Sequence, residues 1–172
     1  MIMNQIGFNL LAWSGTVSDD LFPVIDRLKT IGYDGVEFFM ASQDEHAYRR
    51  LGRYLQGLGM AATAVLGVGP DENPVSPDAA VRQRAVDRIK QAIDHAAAAG
   101  ATVLCGPFHS AFATFTRAEP TAEEYKRSAE VLAAVGDHAA SAKVVIAVEA
   151  LNRFECYLCN TMTQLRSLIE QV

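Results

Sequence analysis

The sequence has few of the features that mark membrane, secreted or nucleotide-binding proteins. No apolar run in its 172 residues approaches the ~20 residues that cross a bilayer. The start of the chain has neither a basic region nor a small-residue cleavage site, so it predicts no signal peptide. Three cysteines, an odd number without the spacing of a disulfide framework, favour a reducing compartment. We therefore expect a soluble cytoplasmic protein.

Nucleic-acid and nucleotide partners are also disfavoured. The formal net charge is −5, and acidic and basic residues are interspersed, so no basic patch or stripe is available for a nucleic acid. The first strand–helix connection lacks G-x-G-x-x-G, and G-x-x-x-x-G-K-[ST] is absent from the chain. The composition thus excludes a membrane or nucleic-acid partner and argues against a nucleotide-binding α/β fold.

Alternating strand and helix patterns fill the chain instead. Half of the residues are hydrophobic, which suits one domain with a sizeable core. Alternation at this spacing predicts a parallel sheet built from right-handed βαβ units, although periodicity alone leaves a barrel and a doubly wound sheet both open. Strands are predicted at 5–11, 35–39, 61–67, 102–106 and 144–148. Helices are predicted at 21–31, 45–58 and 162–172. A further helix is predicted to begin with Ser76 as its N-cap and Pro77 as its first residue and to end at Gly100. Another is predicted to begin at a capping box that starts with Thr121.

Chemistry is concentrated where the fifth strand ends. The unbroken apolar run 144–148 is typical of a strand buried on both faces. Glu149 follows it directly, and Asn152, Arg153 and Glu155 come within one short segment. In α/β folds the carboxyl ends of parallel strands carry the site. A carboxylate there is costly to ionise unless a metal or partner compensates.

This segment resembles a known family. The motif Glu149-Ala150-Leu151-Asn152-Arg153-Phe154-Glu155, then Leu158-Cys159-Asn160, is similar to the D-tagatose 3-epimerase, D-psicose (allulose) 3-epimerase and L-ribulose 3-epimerase group, and so is Gly106-Pro107-Phe108-His109-Ser110. These are xylose isomerase-like TIM barrels of the sugar phosphate isomerase/epimerase superfamily. A complete (β/α)8 barrel takes about 250 residues. We therefore expect one α/β domain over 1–172, a partial TIM barrel with about the first five βα units, truncated at its C-terminus.

The resemblance implies metal-dependent ketose 3-epimerisation. A proton beside the carbonyl is removed, an enediolate forms, and a proton returns on the other face, which takes two carboxylates and a cation. The resemblance assigns Glu149 as a ligand of the divalent metal (Mn²⁺, Mg²⁺ or Co²⁺) and as one acid/base group. The family's other ligands, an Asp, a His and a Glu after strands six to eight, have no counterpart here. We therefore expect an incomplete site and an inactive chain.

The resemblance also implies a ketose-binding pocket. Glu155 matches a residue that bonds sugar hydroxyls, Phe112 an aromatic pocket wall, and His109 is expected to donate to a hydroxyl. Structural roles for these residues, and an Arg153–Glu37 ion pair, remain alternatives. The other implied positions are Phe8 and Trp13 as apolar pocket residues, Gly67 as a close backbone approach, and Glu37 as an orienting carboxylate at the end of the second strand.

Several rival interpretations remain. An aldose–ketose isomerase of the hydroxypyruvate- or rhamnose-isomerase type shares scaffold and metal, and a non-catalytic partial barrel that binds sugar or assembles is the alternative outside enzymes. An endonuclease-IV-like enzyme is disfavoured because it needs several histidine ligands and a basic surface, and the sequence has neither. The lone Cys156-x-x-Cys159 is weak evidence for zinc, and His46, His95 and His138 are expected to be exposed or partly buried structural residues. An open edge at 144–148 predicts a homo-oligomer, a dimer or tetramer, or aggregation.

Overall fold

The computed structural model describes residues 5–172 and shows one five-stranded sheet. All strand pairs are parallel and the order is sequential, β1-β2-β3-β4-β5, without the order reversal of a doubly wound sheet. The prediction of a partial TIM barrel is therefore confirmed. The strands are β1 (Gly7–Asn9), β2 (Gly35–Phe39), β3 (Ala61–Val65), β4 (Val103–Gly106) and β5 (Val145–Val148). The helices are α1 (Phe22–Ile31), α2 (Glu45–Leu58), α3 (Ala79–Ala98), α4 (Ala122–Ala142) and α5 (Met162–Ile169), with 3₁₀ turns at Leu10–Ala12, Asp19–Leu21 and Pro70–Glu72.

Helix boundaries differ from the predicted ones where two capping residues compete. Asp78, not Ser76, caps α3: its side chain accepts a hydrogen bond from the Ala80 N–H at 2.8 Å, while Ser76 Oγ accepts from the Asp78 N–H at 3.2 Å. An aspartate caps as well as a serine, so sequence alone does not choose between them. The Thr121 capping box of α4 is confirmed, with Glu124 as its second member.

β1 is shorter than predicted because its end is capped. The side chain of Asn9 accepts from the Leu11 N–H at 2.8 Å, which turns the chain into the 3₁₀ segment Leu10–Ala12. This leaves three residues in the strand rather than the seven of 5–11. The competition between local side-chain bonds and strand pairing is typical of asparagine.

The core lies between the sheet and the helices α2, α3 and α4. The predicted face of α3 is buried at Ala85, Ile89, Ile93 and Ala96 and half-buried at Val81. Full burial of each isoleucine stabilises the fold by roughly 1.5–3 kcal/mol. No helix in residues 5–172 has the length and hydropathy needed to cross a bilayer.

The two outer strands, β1 and β5, have no fully buried residue, and β5 was predicted to be buried on both faces. Val145 is 63 % exposed, and Ile146, Ala147 and Val148 are half-buried. Within the described residues β5 pairs only with β4, so one edge and part of each face remain open. The prediction of a strand buried on both faces is therefore wrong, whereas the predicted open edge is present.

Candidate active site

A cavity of about 500 Å³ opens beside the carboxyl ends of the strands. Four polar side chains line it, Asn9, Glu37, Glu149 and Glu155, and its apolar wall includes Phe39, Val65, Phe112 and Leu151. A cleft of about 560 Å³ between the C-terminal ends of α2 and α3 is lined by arginines but by no carboxylate. The first cavity, called the pocket below, therefore holds the groups able to exchange protons.

Glu37 is the centre of a polar network on the pocket face of the sheet. Its carboxylate accepts hydrogen bonds from Asn9 Nδ2 at 2.9 Å, Thr63 Oγ1 at 3.0 Å and Cys105 Sγ at 3.1 Å. These donors lie on the flanking strands β1 and β3 and on β4 beyond. Burial, and then the bond to Glu37, raise the pKa of Cys105 to about 12, so its thiol stays a donor. The network holds Glu37 in one orientation.

Two expectations about Glu37 need correction. It lies in the middle of β2, in register with Asn9 and Thr63, and not at the strand's end. It does not pair with Arg153, whose guanidinium lies 5.9 Å from the centre of the Phe154 ring. Three nearby donors, on β1, β3 and β4, satisfy the carboxylate, which leaves no need for a distant arginine.

Glu149 follows β5 directly and is exposed toward the pocket. Its main-chain N–H donates to the Gly106 carbonyl at 2.9 Å, which continues the β4–β5 pairing by one residue. Partial burial raises the pKa of the Glu149 carboxyl, and the negative charges of Glu37 and Glu155 raise it further. A carboxyl held this way takes up a proton more readily than an isolated surface glutamate.

Glu155 reaches the pocket from the loop after β5. Asn152 shapes that loop: its side chain bonds the Glu155 carboxylate and accepts from the Phe154 N–H at 2.9 Å, and its carbonyl accepts from the Glu155 N–H at 3.0 Å. The two carboxylates of the sequence motif therefore lie on one pocket, as the resemblance implies.

The loop after β4 supplies the pocket wall and a buried histidine. Phe112 lines the pocket and is 44 % exposed. His109 is fully buried: Nε2 lies 3.1 Å from the Glu149 carbonyl and Nδ1 lies 3.2 Å from Ser110 Oγ. Burial lowers the pKa of His109 to about 4. The structure places His109 behind Glu149, with both ring nitrogens bonded to protein, and not on the wall where a sugar hydroxyl would meet it.

Phe8 and Trp13 lie apart from the pocket. The centroids of their rings are 4.9 Å apart, and the Phe8 ring packs edge-on against Tyr33 with the centroids 5.4 Å apart. Successive residues of a strand point to opposite faces, so Asn9 takes the pocket face and Phe8 the other. The sequence analysis missed Asn9, Leu11 and Phe39 as lining residues. Alternation along β1 and β2 places Asn9 and Phe39 on the pocket face, whereas Leu11 reaches the pocket from the 3₁₀ turn Leu10–Ala12.

Gly67 lines the pocket at the end of the β3 segment. A methyl group added there would come no closer than 3.8 Å to any protein atom, namely Cζ of Phe39. No neighbouring protein atom therefore requires a glycine at this position. The space that a side chain would occupy belongs to the pocket.

The remaining cysteines and histidines have structural surroundings. Cys156 and Cys159 are buried free thiols, and burial raises their pKa values to about 11 and about 12. His95 is buried rather than exposed or partly buried, with its Nδ1 unpartnered, because it stacks on Tyr48 between α2 and α3. His138 instead bonds Asp94 at 2.7 Å on the surface.

The described residues fit a divalent cation only in part. Glu149 offers an exposed carboxylate oxygen in an environment made negative by Glu37 and Glu155, which is the donor chemistry that Mn²⁺ and Mg²⁺ take. Within residues 5–172, however, no group of three or more His, Cys, Asp or Glu side chains is placed to hold a metal ion. Residues 5–172 thus offer an exposed carboxylate at Glu149 and do not by themselves assemble a metal site of three or more such ligands.

Comparison with known proteins places this pocket in context. The chain is 28% identical to a ketose 3-epimerase of Arthrobacter globiformis, over 98% of this chain and 58% of that protein. It is 27% identical to an L-ribulose 3-epimerase of Mesorhizobium japonicum, over 98% of this chain and 57% of the relative. The chain therefore spans just under three fifths of the length of these relatives.

Solved structures have the same fold. An L-ribulose 3-epimerase superposes with a TM-score of 0.90 at 28% identity, over 98% of this chain and 57% of that one. A Methylomonas D-allulose 3-epimerase in complex with D-allulose shares the fold, with a TM-score of 0.87 at 24% identity over 97% and 58% of the two chains. Residues 25–172 match the family described as a xylose isomerase-like TIM barrel. The chain belongs to the xylose isomerase-like TIM barrel family.

Proposed function

We propose that this chain carries one of the two acid/base carboxylates of a ketose 3-epimerase, within a single barrel domain over 1–172. The observation that carries the proposal is that Glu149 and Glu155 converge on one pocket at the carboxyl end of the sheet. The similarity to ketose 3-epimerases over nearly the whole chain supports the same chemistry.

Glu149 is the proposed proton carrier. A ketose is deprotonated at the carbon beside its carbonyl, and the base must lie on one face of that carbon. Burial and the neighbouring carboxylates raise the pKa of Glu149, which brings its proton affinity closer to that of a base working near neutral pH. The C3 proton therefore passes to a Glu149 carboxylate oxygen, and the second face is left to another group.

The other lining residues position the sugar. Glu155 accepts hydrogen bonds from hydroxyls near the carbonyl, and Phe112 packs against the apolar edge of the carbon chain. Glu37 is oriented by its three donors, so its carboxylate presents a negative charge in a fixed position on the same pocket as Glu149. Gly67 leaves space for the substrate beside the main chain.

Glu149 would also supply one oxygen ligand to a divalent cation of the Mn²⁺, Mg²⁺ or Co²⁺ type. When bound, that cation would polarise the sugar oxygens, which lowers the pKa of the proton on the adjacent carbon. Because the described residues contain no group of three potential ligands, we propose that the 172 residues expressed alone do not epimerise a ketose.

The test follows the C3 proton. The native polypeptide that contains these residues is incubated in D₂O with Mn²⁺ and D-fructose, and ¹H NMR records exchange at each carbon. We expect exchange at C3 with formation of the C3 epimer, and a loss of 10²-fold or more in Glu149→Gln, as expected for removal of a general base. Glu130→Gln, which removes an exposed carboxylate on α4, is the matched control.

Other results point elsewhere. Exchange of a C1 proton without exchange of the C3 proton would indicate an aldose–ketose isomerase. A thermal shift with D-fructose that needs no cation, together with no exchange, would indicate a sugar-binding module. Full C3 exchange in Glu149→Gln would remove Glu149 from the proton transfer.

A further inference from the structure

We infer that His109 is a positioning residue that fixes the Glu149 main chain so that its carboxylate faces the pocket, an inference that rests on the proposed function of Glu149. The ring nitrogen Nε2 lies 3.1 Å from the Glu149 carbonyl, and the Glu149 N–H donates to the Gly106 carbonyl at 2.9 Å. The main-chain N–H of Glu149 is therefore held by the last residue of β4, and its carbonyl by the loop that follows β4.

The bonding partners determine which ring nitrogen of His109 carries the proton. A carbonyl oxygen only accepts, so the contact with Glu149 requires an N–H at Nε2. A fully buried ring that faces a carbonyl and a hydroxyl has no counter-charge, which keeps it neutral with one N–H. Nδ1 is then an acceptor, and Ser110 Oγ, at 3.2 Å, donates to it. The structure assigns the Nε2–H tautomer.

His109 is itself anchored from the other side. Its carbonyl accepts from Ser128 Oγ at 2.7 Å, and Ser128 is fully buried on α4. The Ala111 N–H donates to Asn73 Oδ1 at 3.0 Å. Residues 107–111 are buried throughout, unlike most connecting loops, which run over the surface. His109 is therefore held in place by α4, and its imidazole in turn holds the residue that follows β5.

The same loop also holds the second pocket carboxylate. The Ala113 N–H donates to the Glu155 carbonyl at 2.8 Å. Glu149 and Glu155 are thus tied at their main chains to two points of the loop after β4, buried His109 and exposed Ala113. Such a segment sets the spacing of the two carboxylates, and its only side-chain bond to Glu149 comes from His109.

The first test uses the unmodified chain without metal or sugar. Nitrogen-15 labelling of histidine and long-range ¹H–¹⁵N spectra identify the protonated nitrogen of each ring. We expect His109 in the Nε2–H form at neutral pH. The Nδ1–H form would overturn the inference because it leaves no N–H at Nε2 to donate to the Glu149 carbonyl.

The second test separates positioning from folding. His109→Leu removes the donor, His109→Gln keeps a side-chain N–H, and His95→Leu is the matched control that removes a buried imidazole with no bond to the pocket. In the native polypeptide we expect His109→Leu to lower kcat for Mn²⁺-supported C3 exchange by about 10–100-fold with little change in KM. We also expect it to shift the amide resonance of Ala150, because that N–H belongs to the same peptide group as the Glu149 carbonyl. His109→Gln should recover part of kcat, and His95→Leu should keep it.

The outcomes are distinguishable. A folded His109→Leu with unchanged kcat and an unmoved Ala150 amide would overturn the inference. If His109→Leu does not fold, the tautomer of the unmodified chain decides. If the wild-type polypeptide shows no C3 exchange, the proposed function fails, whereas the tautomer and the Ala150 amide still report whether His109 holds Glu149.

Discussion

The two faces of the sheet are built from the same strands but from different chemistry. On the face toward the helices, Val36, Phe38, Ala64 and Leu104 are at most 2 % exposed and wholly apolar. On the pocket face, Asn9, Thr63 and Cys105 donate to Glu37 as their common acceptor, and apolar Phe39 and Val65 lie beyond them toward the strand ends. Alternation along each strand separates the two sets of side chains at every residue.

This difference shows where stability and chemistry are placed. Apolar burial, which dominates stability, lies on the helix face. The pocket face keeps polar groups inside a sheet because they satisfy one another, and a satisfied network is also rigid. The carboxylates Glu149 and Glu155 extend this face beyond the strand ends. The following predictions test the contrast, from the largest expected effect to the smallest.

Adjacent residues of β4 give the sharpest test. Leu104→Ala removes a fully buried side chain from the helix face and should lower the free energy of unfolding by about 2–5 kcal/mol. Cys105→Ala removes one thiol donor to Glu37 on the pocket face and should cost about 1 kcal/mol or less. Urea unfolding of both variants measures the difference, and equal losses would mean that the two faces contribute alike.

A pH dependence is expected from the helix side. Burial lowers the pKa of His95, so the folded state binds fewer protons than the unfolded state below the ordinary histidine pKa of about 6.5. Stability should therefore fall as pH drops through that value, and His95→Leu should flatten this part of the profile. Nearby charges face the ring: Glu45, Asp44 and Asp94 oppose the shift, and Arg88 adds to it.

Urea midpoints measured from pH 7.5 to pH 5 check the sign of this effect. An unchanged slope in His95→Leu would show that His95 takes up its proton equally in both states. The same experiment on His138→Gln, whose ring bonds Asp94 on the surface, is the control for an exposed histidine.

The smallest expected effect on stability is at the open edge. Val145 is 63 % exposed on β5, so Val145→Lys should change the free energy of unfolding by no more than about 0.5 kcal/mol. A lysine on an edge strand disfavours association with the edge strand of another molecule. We expect light scattering to show dimers or larger species for the 172 residues and a shift toward monomer for the variant. Monomers in both would show that this edge does not self-associate.

Strong local patterns in the sequence predicted the architecture well. The apolar strands, the Thr121 capping box and the α3 core face all depend on neighbours within a few residues, and the structure has each of them. The choice between Ser76 and Asp78 as the cap failed because both side chains are competent caps.

The site was harder to predict because it depends on which face each side chain takes and on what lies behind it. Glu149, Glu155 and Phe112 follow strand ends, so topology alone brings them together. Phe8 and Trp13 were expected in the pocket because the family resemblance implied it, but pleating turns Phe8 to the other face, where its ring packs on that of Trp13. The burial of His109 depends on Ser128 and Glu149, which lie 19 and 40 residues further along the chain and leave no local signal.

The most direct test of the account is position-specific proton exchange in D₂O for Glu149→Gln, measured together with its unfolding free energy. The account predicts that exchange at C3 of D-fructose is lost while stability stays near that of the wild-type polypeptide, because Glu149 lies on the pocket face and outside the core. Undiminished C3 exchange in a folded Glu149→Gln protein would contradict it.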